Sequence, residues 1–238
     1  MIVDAVVHPF ELSDLANRKI EEAVCVVFDI LRATSSMTTA LEYGVREIRP
    51  AADIEEALSL KQKYPESLLG GERHGNKIEG FDLGNSPLEY LDHAGARIIS
   101  TTTNGTVALK ACVGASVTLA GSLLNLDALS RAIQALAPSR LIAVCSGTGK
   151  GVALEDAWAA GALVEHFQNH KLTDAARMAL AVRQFHPDAT EALRISKNGG
   201  ALIAQNRLPD VEWCAKTSVF NSIGIMHGGV IRKWERDF

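Results

Sequence analysis

Residues 24–31, VCVVFDIL, place one carboxylate in an otherwise apolar run. An unpaired carboxylate in a buried strand would cost several kcal/mol, roughly, or take up a proton, so Asp29 needs a partner or a chemical role. Two roles are open: a ligand of Mg²⁺, which prefers carboxylate oxygen, or a nucleophile that attacks phosphorus to form an aspartyl-phosphate. The structural alternative is an internal ion pair between Asp29 and Arg32.

The residues that follow this carboxylate are suited to binding an anion. The planar guanidinium of Arg32 can form two parallel hydrogen bonds to a phosphate, sulfonate or carboxylate. Thr34 and Ser35 open a predicted helix, where free backbone N–H groups and the helix dipole favour negative charge. We therefore expect Arg32 to act in catalysis and the two hydroxyl residues to bind substrate, although Thr34 would also serve as a simple N-cap.

A second segment, GERHGNKIEGFDLGNSP at residues 71–87, lacks the periodicity of a helix or strand. Its seventeen residues are long for a plain connection, and such loops are usually functional or disordered. Glu72 and Asp82 are candidate metal ligands. Arg73 is a candidate anion clamp that would act in catalysis with Glu72, and Asn85 is a candidate substrate contact. The alternative is a packed Ω-loop whose charges pair with one another.

A third segment, TTTNGT at residues 101–106, predicts the end of a strand, a tight turn and the start of a helix. Consecutive backbone N–H groups beside hydroxyl side chains form a concave site for anions. The candidate substrate contacts are Thr103, Asn104, Gly105 and Thr106. The alternative is a strand-to-helix turn capped by threonines.

A fourth segment, CSGTGKGVALED at residues 145–156, contains glycines whose spacing matches neither the P-loop nor the dinucleotide fingerprint. Lys150 is a candidate substrate contact, and Cys145 is expected to be a buried residue rather than a nucleophile. Glu155 and Asp156 fall in the first turn of a predicted helix. They are candidate metal ligands or a general base, or they simply complement the helix dipole.

Strand and helix patterns alternate along the chain, which predicts an α/β fold. Predicted strands cover residues 24–31, 47–51, 68–70, 97–101, 117–120 and 141–145, with two more within 219–234. Predicted helices cover residues 34–43, 53–63, 106–112, 126–137, 154–169 and 173–185. We expect one domain over residues 1–238, with three α/β/α layers and a mixed, mostly parallel sheet whose antiparallel part is an edge near the C-terminus. Parallel strands would bring the four segments together at their carboxyl ends, where open α/β sheets bind ligands.

Composition narrows the class of protein. A net charge of −4 and a pI near 6.0 offer no basic surface for nucleic acid, and no apolar run approaches the ~20 residues of a membrane span. The N-terminus is not expected to be a signal peptide, because Asp4 and His8 interrupt its apolar residues. Four widely spaced cysteines indicate free thiols in a reducing cytoplasm. His74 is the only histidine that we expect near a substrate, and the sequence allows a homodimer.

The four segments, in this order, resemble the 2-phosphosulfolactate phosphatase family. The matching strings are VVFDILRAT, GER with GFDLGNSP, TTTNGT, and CSGT followed by LED and AAG. The resemblance covers residues 1–170 and is weaker in the last third, which includes SKNGGALIAQN at residues 196–206.

This resemblance implies a cytoplasmic, Mg²⁺-dependent phosphatase that hydrolyses 2-phospho-3-sulfolactate to 3-sulfolactate and phosphate, a step toward coenzyme M. Mg²⁺ would be held by some subset of Asp29, Glu72, Asp82, Glu155 and Asp156. Arginines 32 and 73, Lys150 and the turn at residues 103–106 would then grip the anionic groups of the substrate. Two alternatives stay open: a phosphatase for another small phosphorylated hydroxy acid, and a non-catalytic domain that binds an anion or nucleotide.

Overall fold

Strands and helices alternate along most of the chain, as the sequence predicts. The computed structural model describes residues 1–235. The strands of this described part are β1 (Ile2–Val6), β2 (Ala23–Phe28), β3 (Glu47–Pro50), β4 (Leu68–Arg73), β5 (Asn76–Lys77), β6 (Arg97–Thr101), β7 (Val117–Gly121), β8 (Arg140–Cys145), β9 (Lys171–Leu172), β10 (Gly224–His227) and β11 (Val230–Lys233). Its α-helices are α1 (Ala33–Glu42), α2 (Ile54–Lys63), α3 (Gly105–Ala111), α4 (Leu126–Leu136), α5 (Leu154–Glu165), α6 (Asp174–Phe185), α7 (Ala189–Ile195), α8 (Lys197–Ala204) and α9 (Leu208–Cys214).

The strands form one sheet in the order β5-β4-β6-β3-β11-β10-β7-β2-β8-β1-β9. Strands β7, β2, β8, β1 and β9 are parallel to one another, and β3, β6 and β4 form a second parallel group. Helices cover both faces. The predicted three-layer α/β/α fold with a mixed, mostly parallel sheet is therefore confirmed.

The predicted antiparallel edge near the C-terminus is wrong, because the β10–β11 hairpin lies inside the sheet. Strand β10 pairs with β7 through Gly224 and Ala120, and β11 pairs with β3 through Ile231 and Ile48. The hairpin thus joins the two parallel groups. The last two strands of the chain complete the sheet between elements that precede them by about a hundred residues or more.

The hairpin also reverses the direction of the strands. Three successive pairings across it, from β7 to β10, to β11 and to β3, are antiparallel, so the two parallel groups run in opposite directions. Their carboxyl ends nevertheless meet, because a Cβ on Gly105 after β6 would lie only 2.7 Å from Asp29 after β2. Four strands separate β6 from β2 in the sheet, a path of roughly 24 Å. The sheet must therefore curve to bring these ends together.

Helices α1 and α3 lie inside this curve. Their apolar side chains pack in one core with Cys25 and Val27 of β2 and with Ile48 and Ile98 of the other strand group. The alternate residues of β2, including Val26, pack on the opposite face in the core that α4, α5 and α6 cover. Because β2 is buried on both faces, its sequence is continuously apolar rather than alternating.

Most predicted boundaries agree with the structure. Each predicted helix lies within one residue of its observed bounds, except 154–169, which ends at Glu165 because residues 166–169 form turns. The spacing of Asp53 and Glu56 predicts a capping box at the start of α2. Asp53 does accept the Glu56 N–H at 2.8 Å, but Glu56 accepts the N–H of Ala52, at 2.6 Å, rather than that of Asp53, so half of the box is formed.

The sequence analysis missed β1, a 3₁₀ helix at Pro9–Arg18, and helices α7 to α9. The missed α-helices have only seven or eight residues each, too few for a helical pattern to show clearly. Within residues 1–235, every helix is too short or too polar to cross a membrane.

Candidate functional site

A cleft of about 430 Å³ opens where loops after β2, β4, β6 and β8 meet. The predicted site residues that line it are Asp29, Arg32, Glu72, Asn85, Thr103, Asn104 and Lys150. Every one of the four segments thus contributes at least one side chain to the same cavity. The remaining wall comes from α8, which no motif in the sequence indicated.

Asp29 lies at the base of this cleft and is held by backbone groups. The β2 strand ends one residue earlier, at Phe28, and the Asp29 carboxylate accepts the Ala33 N–H at 3.1 Å and the N–H of Gly105. Its own N–H donates to the Thr34 hydroxyl at 2.9 Å. A side chain at position 105 would collide with Asp29, so this position requires glycine for close approach rather than for an unusual φ.

The electrostatic surroundings of Asp29 disfavour its charged form. Burial, followed by the nearby charges of Glu72 and Glu155, raises its pKa to about 7, although the N–H groups of Ala33 and Gly105 partly oppose this rise. The alternative of an ion pair between Asp29 and Arg32 does not hold, since Arg32 pairs with Asp210 instead. Asp29 is thus a buried carboxylate without a cationic partner among the described residues.

Glu72 is the second carboxylate that lines the cleft. Its Oε1 atom accepts both the N–H and the hydroxyl of Thr103, each at 2.9 Å, and its Oε2 atom accepts the Gly75 N–H at 2.8 Å. These bonds tie the loop after β4 to the loop after β6. Because each carboxylate oxygen can accept more than one hydrogen bond, Glu72 and Asp29 keep lone pairs for a ligand.

Two further carboxylates lie behind the cleft wall at the start of α5. Asp156 accepts the Ile30 N–H at 2.9 Å and the Gly147 N–H at 3.1 Å, so it joins the loops after β2 and β8. Glu155 accepts a hydrogen bond from Asn198 with one oxygen, whereas its other oxygen is buried without a partner. Burial raises the pKa of both carboxyls, and for Asp156 the charges of Glu155 and Asp29 add to this.

The arginine of the cleft is already paired. The Arg32 guanidinium forms a buried ion pair with Asp210 of α9 and donates to the Gly75 carbonyl at 3.0 Å. Asp210 also accepts the Ser86 hydroxyl at 2.6 Å. Arg32 therefore connects the loop after β2 to α9 and to the loop after β4, and only its remaining N–H groups can reach a substrate.

Two predicted site residues point elsewhere. Asp82 is exposed, accepts the Leu69 N–H at 2.8 Å and does not line the cleft, so the structure does not bring this predicted metal ligand to Asp29 and Glu72. Arg73 donates to the carbonyl and hydroxyl of Thr101, at 3.3 and 3.0 Å, and does not line the cleft. The guanidinium fixes the end of β6 to β4, and the structure does not place this predicted anion clamp with the cleft residues.

Three predicted substrate contacts use their hydroxyls within their own loops. Thr34 donates to the Asp29 carbonyl at 3.1 Å, Ser35 to the Ile30 carbonyl at 2.9 Å, and Thr106 to the Thr102 carbonyl at 3.0 Å. These hydroxyls therefore shape the loops, and the three side chains do not line the cleft. Gly105 contributes close packing and its N–H.

Four residues that the sequence analysis left out belong to the site. Lys197, Asn198 and Gln205 line the cleft from α8 and its C-cap, and Asp210 holds Arg32 from α9. Asn198 donates to the Thr148 hydroxyl at 2.6 Å as well as to Glu155. The string SKNGG, in which Ser196 caps α8, was the sequence signal available for Lys197 and Asn198. His74, which we expected near a substrate, does line the cleft.

Asp29 and Glu72 are the residues whose chemistry suits a divalent cation. Within residues 1–235, histidines, cysteines and carboxylates form no group of three or more that could hold a metal. Mg²⁺ commonly takes only one or two protein carboxylates and completes its shell with water and substrate phosphate. The two cleft carboxylates fit such a site.

Buried carboxylates and exposed lysines share a cleft at the carboxyl ends of parallel strands, which defines an α/β protein that acts on a small anionic compound. A family model described as 2-phosphosulpholactate phosphatase matches residues 10–229. The chain belongs to this family, and hence to the phosphoric monoester hydrolases. The non-catalytic alternative is therefore set aside.

Curated relatives support this assignment across nearly the whole chain. A probable 2-phosphosulfolactate phosphatase from Carboxydothermus hydrogenoformans is 38% identical over 226 residues, which cover 94% of this chain and 92% of that protein. One from Deinococcus radiodurans is 39% identical over 201 residues, covering 82% and 84% of the two chains. One from Clostridium botulinum is 31% identical over 241 residues, covering 98% and 100%.

Proposed function

We propose that this protein hydrolyses 2-phospho-3-sulfolactate to 3-sulfolactate and phosphate with the help of Mg²⁺. The observation that carries the proposal is the charge distribution of the cleft. Asp29 and Glu72 lack a cationic partner within residues 1–235, while Lys150 and Lys197 lack an acidic one. A cation can bind between the carboxylates of Asp29 and Glu72. A substrate with several negative charges can then contact both this cation and the two lysines.

Phosphoryl transfer depends mainly on positioning and on neutralising charge, and the residues of the cleft suit both tasks. Mg²⁺ at Asp29 and Glu72 would supply positive charge to the phosphate oxygens. Arg32 directs its remaining N–H groups to the cleft from a fixed position, since Asp210 holds the guanidinium. The amide of Asn104 accepts the Gly149 N–H at 3.2 Å and so keeps the loops after β6 and β8 together beside the substrate.

Two roles for Asp29 are compatible with this site. In one, its carboxylate orients and deprotonates the attacking water, which requires the ionised form that a nearby cation would favour. In the other, it attacks phosphorus itself. We favour the first role, because backbone N–H groups of Ala33 and Gly105 already hold the carboxylate in place. Transfer of ¹⁸O from solvent into the protein carboxylate after turnover, or a trapped phosphoenzyme, would instead establish the second.

The test of function is phosphate release from racemic 2-phospho-3-sulfolactate by the purified protein, with Mg²⁺ and with EDTA. The proposal expects release that requires Mg²⁺ and that exceeds release from 2-phospholactate and phosphoglycolate. Faster turnover of either of these two compounds would assign the enzyme to another phosphorylated hydroxy acid. Equal release in EDTA would contradict the metal requirement.

The remaining parts of the proposal concern the cell. We place the enzyme in the cytoplasm, acting on a small anionic substrate rather than on nucleic acid, with its product available for coenzyme M synthesis. A homodimer is the assembly we propose to test, by light scattering on the eluting protein. A monomeric mass at assay concentration would contradict it.

A further inference from the structure

The positive charge that the cleft can offer to a substrate is concentrated on two lysines. Lys150 and Lys197 line the cavity, and neither forms an ion pair within the described part of the chain. By contrast, the charge of Arg32 is compensated by Asp210. A substrate with phosphate, carboxylate and sulfonate groups needs cations beyond those that face its phosphate.

Lys197 is the better positioned of the two lysines. It is the first residue of α8, between Ser196, which caps the helix by accepting the Gly199 N–H at 3.0 Å, and Asn198. The Asn198 amide is held by the Thr148 hydroxyl and by Glu155. Both lysines are exposed, but Lys150 lies between two glycines in the loop after β8, whereas Lys197 belongs to a capped helix.

Lys197 lies at the N-terminal end of a helix, where positively charged residues are unfavourable. A cation in the first turn of a helix interacts unfavourably with the helix dipole. The first turn of α8 contains no acidic residue that would compensate, whereas the neighbouring helices α7 and α9 carry Glu191 and Asp210 there. Residues that oppose a local preference are expected at functional sites, and an anion bound by Lys197 would remove the conflict.

We propose that Lys197 determines substrate specificity by binding the sulfonate group of the substrate through its ammonium group. This inference rests on the proposed function, in which Asp29 and Glu72 would hold a Mg²⁺ ion that faces the phosphate. The sulfonate then has to bind elsewhere in the cleft, and Lys197 offers a cation without an acidic partner within residues 1–235, on a helix that Ser196 caps. Neither the carboxylate nor the phosphate distinguishes this substrate from 2-phospholactate, so selectivity depends on the sulfonate contact.

The test compares two substrates that differ only in the sulfonate, 2-phospho-3-sulfolactate and 2-phospholactate, with wild type, Lys197→Met and Lys197→Arg. Lys197→Met should lower kcat/KM for the sulfonated substrate about 10- to 100-fold, mainly through KM, since a hydrogen bond to a charged group is lost. For 2-phospholactate we expect less than about a threefold change, and Lys197→Arg should restore part of the selectivity. Lys171→Met, an exposed lysine on strand β9 far from the cleft lining, is the matched control and should behave as wild type.

Equal losses on both substrates would overturn the inference, because Lys197 would then contact a group that they share. Calorimetric titration with 3-sulfolactate and with lactate separates this result from failure of the proposed function. Binding of 3-sulfolactate that Lys197→Met abolishes would support the sulfonate contact even if wild type released no phosphate. Unchanged binding in that variant would overturn it.

Discussion

Two buried carboxylates on this sheet have opposite surroundings. Glu47, at the start of β3, is 4% exposed and lies among arginines, with Arg232 at 2.6 Å and Arg49 at 2.8 Å. Burial favours protonation of Glu47, but hydrogen bonds from these two arginines outweigh it and lower the pKa of the carboxyl. Asp29, at the end of β2, is 8% exposed and has no such partner, and its pKa is raised to about 7.

This difference in compensating charge distinguishes a carboxylate that stabilises the fold, Glu47, from one that can bind a ligand, Asp29. The charge of Glu47 is compensated by arginines of the fold itself, so this residue joins β3 to β11 and needs no bound cation. Asp29 is supported only by backbone N–H groups, while the nearest loop arginine, Arg32, is directed to Asp210. Uncompensated charge in a cleft is a cost to the fold that a bound cation can remove, which is why such groups mark functional sites.

The largest expected effect is on catalysis by Asp29. Asp29→Asn should lower kcat about 10³-fold or more, since an amide can neither take up the proton nor supply charge to a metal. Its free energy of unfolding should change by no more than about 1 kcal/mol, because the variant no longer buries a charge. Steady-state kinetics and urea unfolding measure the two. Retained turnover would remove Asp29 from the mechanism.

The next effect is a pH dependence of stability in EDTA. Asp29 has a raised pKa in the folded protein, so between pH of about 4 and 7 the unfolded chain binds fewer protons than the folded one, and stability falls as pH rises. The slope should reach about 1.4 kcal/mol per pH unit. The raised pKa values of Glu155 and Asp156 act in the same direction.

Asp29→Asn is the control for this pH dependence and should flatten the slope, whereas added Mg²⁺ should restore stability at pH 7 in the wild type. Stability that rises with pH over this range in EDTA would show that Asp29 is compensated in solution.

Glu47→Gln should lower stability and leave kcat nearly unchanged, which is the opposite of the result expected for Asp29→Asn. Loss of the carboxylate leaves Arg49 and Arg232 without their partner and should destabilise the fold by about 1–3 kcal/mol, less than for a fully buried pair because the arginines are partly exposed. We expect kcat to stay within about twofold, since Glu47 lies outside the cleft. A large loss of kcat in the folded variant would show that the Glu47 cluster affects catalysis in the Asp29 cleft.

Asp82→Asn should have the smallest effect. The carboxylate is exposed and accepts only the Leu69 N–H from the backbone, a bond that an amide oxygen can also accept. Activity and its Mg²⁺ dependence should therefore remain within about twofold of wild type, with a stability change near 0.5 kcal/mol. A raised Mg²⁺ requirement in this variant would restore Asp82 as a metal ligand.

The sequence was informative where local chemistry decides the outcome. The apolar run of β2, the cap of α2 and the string after β6 predicted their elements within a few residues, because periodicity and capping act over short distances. The singular position of Asp29 in that run was also visible. These features are set by residues close together in the chain.

Tertiary structure alone decided which side chains reach the cleft. Glu72 and Asp82 were indistinguishable as candidate ligands in one loop, yet one binds Thr103 in the cleft and the other caps a backbone N–H outside it. Arg32 found its partner in Asp210, which lies 178 residues further along the chain.

The α/β class, the buried strand that carries Asp29 and the four loops that build the site all follow from local patterns in the sequence. The sequence by itself did not determine the reversal of strand direction at the β10–β11 hairpin, the curvature of the sheet, or the entry of Lys197 into the cleft. The physical reason is that strand and helix patterns depend on neighbours a few residues away. Pairing of distant strands and compensation of buried charge depend instead on contacts that only the folded chain creates.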